Sequence, residues 1–212
     1  MARDIVLLAA AAVAVIRMAL LQRRVRALEE QTITDPLTGA FNRRHMHTTL
    51  AAAVERRRRS GDRASLLMLD IDRFKDINDA LGHAEGDRVL KCLVALVGQR
   101  MRKVDGLFRA GGEEFVLLLS GTRFTDAVSV AEDLRRLVQD ARFVSGRQVS
   151  ISVGVVELGH QQSATEWIEE ADAALYRAKR AGRNRVAGRY GEPSRFVDEP
   201  IAHTLRFPAR IS

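Results

Sequence analysis

Most of the chain shows the two hydrophobic periods that distinguish helices from strands. Between residues 35 and 186, some segments carry apolar residues at helical spacing, and others are short apolar runs bounded by turn residues. The pattern predicts helices over 42–59, 85–101, 124–141 and 163–181, and strands over 65–71, 107–110, 113–120 and 149–156. Because Gly111-Gly112 is a strong hairpin signal and the elements come in mixed order, we expect an α+β fold: a central mixed, largely antiparallel sheet flanked by helices.

The first thirty residues follow a different pattern. Residues 5–16 are an unbroken apolar run, and after Arg17 the apolar character continues to Leu21. A membrane span needs about 20 apolar residues, so this alanine-rich segment is marginal. Two interpretations stay open, an inner-membrane tether through residues 5–21 and a soluble amphipathic helix. The arginines on its C-terminal side would leave the following domain in the cytoplasm if the segment spans the membrane.

The same N-terminal segment carries a heptad pattern. Positions spaced alternately four and three residues apart are mostly apolar: Leu7, Ala11, Ala14, Met18, Leu21, Val25, Leu28 and Thr32. This spacing is typical of the seam between two helices, and it favours a parallel dimer stalk over one helix lying on its own domain. We therefore expect an apolar helix and short coiled-coil stalk over 1–33, a folded domain over 34–187 and a loose, proline-containing tail over 188–212.

Composition limits the classes of partner without identifying one. The chain has 34 Lys+Arg against 27 Asp+Glu, a net charge of +7, which suits a polyanionic ligand, an acidic membrane or nucleic acid. Aromatic residues make up 5% of the chain, and it has no recognisable nucleic-acid-binding motif, so no nucleic-acid partner is expected. The single cysteine, Cys92, excludes a disulfide framework and fits a reducing cytoplasm.

Acidic residues gather where predicted strands meet turns. Asp70 and Asp72 end one buried strand, and Glu113 and Glu114 follow the Gly-Gly turn. If the hairpin pairs beside the 65–71 strand, Asp70 and one glutamate meet at one end of the sheet. Carboxylates placed in this way commonly hold Mg²⁺ against a nucleotide triphosphate. A strand-end turn without a ligand is the alternative that these residues leave open.

Cations and glycines accompany these acids. Lys75 follows the same strand, and Lys179 and Arg183 are four residues apart, which predicts one face at the end of the last helix. All three could neutralise phosphate charge. Gly111 and Gly112 would let a phosphate approach the backbone closely.

Residues 109–115, RAGGEEF, resemble the signature of the GGDEF family, the diguanylate cyclases, in its GGEEF form. Further blocks match in the family's order and spacing: DPLTG at 35–39, NRR at 42–44, DIDRFKDIND at 70–79, GHAEGD at 82–87, SVG at 152–154 and AALYRAKRAGRNR at 173–185. The resemblance covers residues 34–187, so this segment is identified as a GGDEF catalytic domain. It implies a fold similar to the palm of nucleotidyl cyclases and polymerases, and condensation of two GTP into cyclic di-GMP and two pyrophosphates.

The resemblance also implies roles for individual residues. Mg²⁺, for which Mn²⁺ could substitute, would be bound by the carboxylates of Asp70 and Glu113 and the backbone carbonyl of Ile71. Glu113 would also accept the proton of the attacking 3′-hydroxyl, with Glu114 assisting, and Lys75 would stabilise the developing charge.

Other matched positions would bind GTP. They are Arg73, Phe74, Lys179 and Arg183 at the phosphates, and Asn78, His83 and Asp87 at the guanine. A carboxylate that accepts hydrogen bonds from guanine would reject adenine, whose edge lacks the same donors.

Two further implications concern regulation and assembly. Arg102 and Asp105 match the family's inhibitory site for cyclic di-GMP; the alternative is an exposed ion pair. Each domain of the family binds one GTP, so synthesis would require a homodimer, which the stalk would favour by raising the local concentration of the partner domain. A silent GTP-sensing or cyclic di-GMP-binding module is the alternative to an active enzyme, although the signature residues are intact.

Overall fold

The computed structural model describes residues 32–143, 146, 148–189 and 196–197, together with Arg17 and Met18. The predicted tether and most of the predicted stalk and tail lie outside these residues. Across the part of the chain that is described, no helix is both long and apolar enough to cross a membrane.

Among the described residues, a seven-stranded sheet forms the centre of the domain. Its strands are β1 (Phe41–Asn42), β2 (Ala64–Ile71), β3 (Gly106–Gly111), β4 (Glu114–Ser120), β5 (Ile151–Glu157), β6 (Val186–Arg189) and β7 (Phe196–Val197). The helices around it are α1 (Arg43–Ser60), α2 (Phe74–Leu81), α3 (His83–Gly98), α4 (Phe124–Asp140) and α5 (Ala164–Arg180).

The strand order is β1-β3-β4-β2-β5-β6-β7. The four central strands, β3, β4, β2 and β5, pair antiparallel, whereas β1 pairs parallel with β3 and β6 pairs parallel with β5. The predicted mixed, largely antiparallel sheet is therefore confirmed.

Strand β2 lies in the middle of the sheet and is buried along its whole length. Leu67 and Leu69 pack with residues of α2, α3 and α4 on one face, and Leu66 and Met68 pack with residues of α1 and α5 on the other. Because helices cover both faces of the sheet, the side chains on both faces of this strand are mostly apolar.

The helix termini carry the caps that their sequences encode. Asn42 precedes α1 and its side chain accepts a hydrogen bond from the His45 amide at 2.9 Å. Gly61 ends the same helix in a left-handed conformation, with φ 73°. Ser163 and Glu166 form a reciprocal capping box at the start of α5. Each cap satisfies amides or carbonyls that the helix itself leaves without partners, which fixes where the helix begins or ends.

Several regions differ from the sequence prediction. Strand β1 was not predicted, and β5 begins at Ile151 and ends at Glu157 instead of 149 and 156. Helix α2 was not predicted: it has eight residues, of which Phe74 and Ile77 are buried, too few to show a helical period. Helix α3 begins at His83 and ends at Gly98, not at 85 and 101. Strand β6 extends two residues into the predicted loose tail, and β7 lies within that tail, because β6 finds a parallel partner in β5.

We expect that Gly154→Ala destabilises the domain. A Cβ at this position of β5 would collide with the Ala171 carbonyl oxygen and the Leu175 amide of α5, and neither backbone group can move without shifting the helix. Overpacking of this kind costs about 1–3 kcal/mol in the free energy of unfolding, measurable by urea denaturation. Gly98→Ala is the control because nothing lies within 4 Å of its added Cβ. Equal stability of the two variants would contradict the close β5–α5 approach.

Candidate functional site

The acidic residues meet at the end of β2, as the sequence predicted. Asp70 lies directly opposite Glu114 of β4 on one side and Ser152 of β5 on the other. Glu113, expected at the start of β4, instead lies in the turn with Gly112, because Gly111 pairs with Glu114 after a register shift in β3. The turn therefore carries Glu113 to the edge of the ladder and leaves Glu114 as the residue paired with Asp70.

Burial has the largest effect on the electrostatics of this cluster. Burial raises the pKa of the Asp70 carboxyl; an ion pair with Lys179 opposes the rise, and the charges of Glu114 and Asp72 add to it. The Lys179 ammonium lies 2.7 Å from Asp70 Oδ2. Burial and the charge of Asp70 also raise the pKa of Glu113. The cluster holds more negative charge than Lys179 balances, so a bound cation would stabilise it.

The donor set fits a hard divalent cation. Asp70 and Glu113 offer carboxylate oxygens, and the pKa of each is raised in part by the charge of neighbouring acids, which a cation would relieve. Within the described ranges, no group of three or more His, Cys, Asp or Glu side chains is placed to hold an ion. Mg²⁺ is commonly bound by one or two carboxylates together with substrate phosphates, so a sparse protein set of this kind suits it.

An open pocket of about 360 Å³ is lined by both basic and acidic residues. They are Arg73 and Arg183, and the acids Asp72 and Asp76. Arg73 has φ 56°, and α2 starts at the next residue, the buried Phe74. Lys75 is exposed in the first turn of α2. The pocket therefore offers two guanidinium groups to an anion.

The sequence predicted that Lys179 and Arg183 lie on one helical face, and this prediction is wrong. Helix α5 ends at Arg180, and Arg183 follows in a left-handed conformation with φ 64°. The chain turns there because the Arg183 amide donates to the Ala178 carbonyl at 3.1 Å. Lys179 consequently reaches Asp70, whereas Arg183 borders the pocket.

The residues matched to guanine binding lie around the junction of α2 and α3. Asn78 of α2 lies so close to Gly86 of α3 that a Cβ there would collide with its side-chain oxygen. Asp87 follows Gly86 and is half-buried, and His83 is exposed at the first residue of α3. The structure thus brings Asn78 next to the segment that carries Asp87.

The Arg102–Asp105 segment forms a turn before β3. The Asp105 carboxylate accepts hydrogen bonds from the Arg102 amide at 2.8 Å and from the Ser120 amide at 3.3 Å. The Arg102 side chain is exposed. Asp105 therefore stabilises the turn through backbone amides, and the Arg102 guanidinium is presented to solvent.

Known proteins share similarity with this chain. Residues 32–185 match the model of the diguanylate cyclase GGDEF domain. The chain is 42% identical over 160 residues to the diguanylate cyclase DgcP of Pseudomonas aeruginosa, covering 74% of this chain and 24% of that protein. It is 40% identical over 166 residues to the response regulator PleD of Caulobacter vibrioides, covering 76% of this chain and 37% of that protein. The chain thus spans well under half the length of these two relatives.

The chain belongs to the GGDEF family of diguanylate cyclases.

A solved structure supports the same conclusion. The GGDEF domain of DgcB from Caulobacter crescentus, in complex with c-di-GMP, superposes with a TM-score of 0.72 at 32% identity, covering 74% of this chain and 96% of that one. The predicted palm-like cyclase fold is confirmed.

One contact of this GGDEF domain was missed by sequence reasoning, although both of its residues stand in matched motifs. Arg109 donates to the Gly112 carbonyl through Nε at 3.1 Å and Nη2 at 2.8 Å, and through Nη1 to Asp35 Oδ1 at 3.0 Å. Asp35 also accepts from the Thr38 amide and hydroxyl at 2.9 and 2.6 Å. Arg109 therefore joins the start of the domain to the turn that carries Glu113.

Asp35→Asn should weaken the domain in a pH-dependent way. Although burial acts to raise it, the pKa of Asp35 is lowered by its hydrogen bonds with Thr38 and by Arg109. A lowered pKa stabilises the fold above the unfolded value, near 3.8, and this contribution disappears as pH falls through the folded pKa. We expect a loss of about 1.5–3 kcal/mol at pH 7, the contribution of a hydrogen bond to a charged group.

Urea denaturation of the wild type and Asp35→Asn between pH 3 and pH 7 measures this effect. The stability difference should shrink toward pH 3. Asp62→Asn, at an exposed aspartate, is the control for loss of one negative charge. A difference that is constant with pH would show that the charge of Asp35 does not stabilise the fold.

Proposed function

We propose that this GGDEF domain condenses two GTP molecules into cyclic di-GMP and two pyrophosphates. The observation that carries the proposal is the buried Asp70 carboxylate, which faces Glu114 across the ladder and pairs with Lys179, in a chain whose named relatives include diguanylate cyclases. A carboxylate cluster beside basic residues is what attack of a hydroxyl on an α-phosphate requires.

The family generally requires a divalent metal ion, and we propose Mg²⁺, with Mn²⁺ as a substitute. Asp70, Glu113 and the Ile71 carbonyl would hold it. When bound, it would neutralise phosphate charge and lower the pKa of the attacking hydroxyl. Glu113 would also accept the 3′-hydroxyl proton, with Glu114 assisting. Lys75 would stabilise the charge that develops on the phosphates.

The two arginines of the pocket support triphosphate binding. Arg73 and Arg183 line it, and the amide groups around Arg73 and Phe74 would add further donors. Lys179, the partner of Asp70, would also help to neutralise phosphate charge. Guanine would then lie near Asn78 and Asp87, with His83 at the exposed rim.

The reaction requires two GTP molecules, and in this proposal each domain binds one of them. The active form is therefore a homodimer with the two sites face to face, and the heptad over residues 7–32 would hold two domains together. We place the domain in the cytoplasm, where GTP is available, with residues 5–21 as a tether to the inner membrane.

Replacing Glu113 with Gln should abolish synthesis, because the variant loses both the proton acceptor and a metal-binding carboxylate. The assay is chromatography of GTP incubated with the full chain and Mg²⁺, with and without a phosphodiesterase specific for cyclic di-GMP. We expect a product peak from the wild type that the phosphodiesterase removes. Glu169→Gln, the same change on an exposed position of α5, is the control and should retain synthesis.

The outcomes separate the two functions that the sequence left open. Synthesis by Glu113→Gln at the wild-type rate would overturn the role of Glu113. Untouched GTP in the wild-type reaction, together with measurable cyclic di-GMP binding, would favour a silent binding module.

We also propose that cyclic di-GMP inhibits the enzyme by binding at Arg102 and Asp105. The exposed Arg102 guanidinium beside a rigid turn supports this role. Arg102→Ala is the informative variant, since Asp105 also holds the turn together.

Arg102→Ala should weaken inhibition by cyclic di-GMP by about tenfold or more, the effect of losing one charge-assisted contact. The measurement is the initial rate of synthesis against added cyclic di-GMP. Lys103→Ala removes the same charge from the next exposed residue and should keep the wild-type inhibition curve. An unchanged curve for Arg102→Ala would remove this site from the proposal.

A further inference from the structure

Asp72 is a buried acid that none of the roles above uses. It is 8% exposed and lies two residues beyond Asp70. Its Oδ1 accepts a hydrogen bond from the Ser152 hydroxyl at 2.6 Å, and its Oδ2 accepts from the Ser150 hydroxyl at 2.7 Å and the Asn184 amide at 2.9 Å. Three donors from two segments thus converge on one carboxylate, which is how a buried charge is stabilised without a metal or an ion pair.

The Asn184 contact fixes a loop with an unusual backbone. Arg183 and Asn184 are consecutive non-glycine residues with positive φ, 64° and 46°. Such residues carry a conformational cost that neighbouring contacts must offset. Asp72 holds this loop from the sheet side through the Asn184 amide. Arg135 of α4 holds it from the other side, donating to the Asn184 side-chain oxygen at 2.8 Å.

This loop contributes to the pocket. Gly182, Arg183 and Asn184 line it, as do Arg73 and Asp76 of the β2–α2 segment. Asp72 lines the same pocket, and its carboxylate connects that segment to the loop through the Asn184 amide. If the loop were released, Arg183 would lose the left-handed backbone that places it at the pocket.

We propose that Asp72 is a positioning residue: it holds the 182–184 loop so that Arg183 and Arg73 together receive the phosphate end of the nucleotide. This inference rests on the proposed function, in which the ligand is GTP. It assigns Asp72 an effect on triphosphate affinity, separate from guanine recognition at the α2–α3 junction. A second, independent hold on the loop, through Arg135, predicts that a residue outside the pocket affects the same affinity.

The test compares binding of a non-hydrolysable GTP analogue and of GMP to the full chain by calorimetry with Mg²⁺. GMP lacks the phosphates that would reach the pocket, so it reports guanine binding and the folded fraction. Asp72→Asn should bind the triphosphate about tenfold or more weakly, as expected on losing a charge-assisted hydrogen bond, and GMP with wild-type affinity. Asp76→Asn removes the same charge from the pocket wall, and it should bind the triphosphate at least as tightly as the wild type.

Arg135→Gln keeps the test decisive if Asp72→Asn does not fold. It should also weaken triphosphate binding without weakening GMP binding, whereas Arg136→Gln, at an exposed position of the same helix, should change neither. Wild-type triphosphate affinity in Asp72→Asn or Arg135→Gln would overturn the inference, as would equal losses for both nucleotides. A wild-type chain that binds neither nucleotide would instead overturn the proposed function.

Discussion

The structure depends on one constraint: a strand buried on both faces ends in two carboxylates. A buried charge destabilises the fold unless hydrogen-bond donors or opposite charges contact it. Asp70 forms an ion pair with Lys179 near the end of α5. Asp72 accepts hydrogen bonds from two serine hydroxyls and from the amide of Asn184, just beyond that helix. Both acids therefore draw the C-terminal end of α5 toward the end of β2. Gly154 allows the approach, because any side chain there would strike the α5 backbone.

The same principle explains how Glu113 is placed. A glutamate in a two-residue turn has no ladder hydrogen bonds to fix it, and its surroundings disfavour its charge. Arg109 supplies the missing constraint by donating twice to Gly112 and by pairing with Asp35. Asp35 is itself held by Thr38. The turn is thus tied to the segment that leads in from the N-terminal side, so a change in that segment's position would reach Glu113 through two side chains.

The sequence predicted those features that depend on local periodicity. Strand β2, helix α1 and the convergence of Asp70 with a glutamate follow from apolar spacing and one hairpin. The sequence could not predict features that depend on tertiary contacts or on unusual backbone angles. Arg109 and Asp35 are 74 residues apart, and the displacement of Arg183 from the α5 face follows from its positive φ. The individual roles of the site residues came from resemblance to family motifs, which preserve chemistry but give no geometry.

Strand β3 separates the proposed catalytic and inhibitory groups and connects them directly. The Arg102–Asp105 turn lies at the start of β3, and Gly112 and Glu113 lie at its end. Six residues of strand separate them, about 20 Å at the usual rise per residue. Cyclic di-GMP held at Arg102 would therefore not occupy the position of GTP. Because Asp105 accepts from the Ser120 amide at the end of β4, the turn that carries Arg102 is attached to both strands of the hairpin.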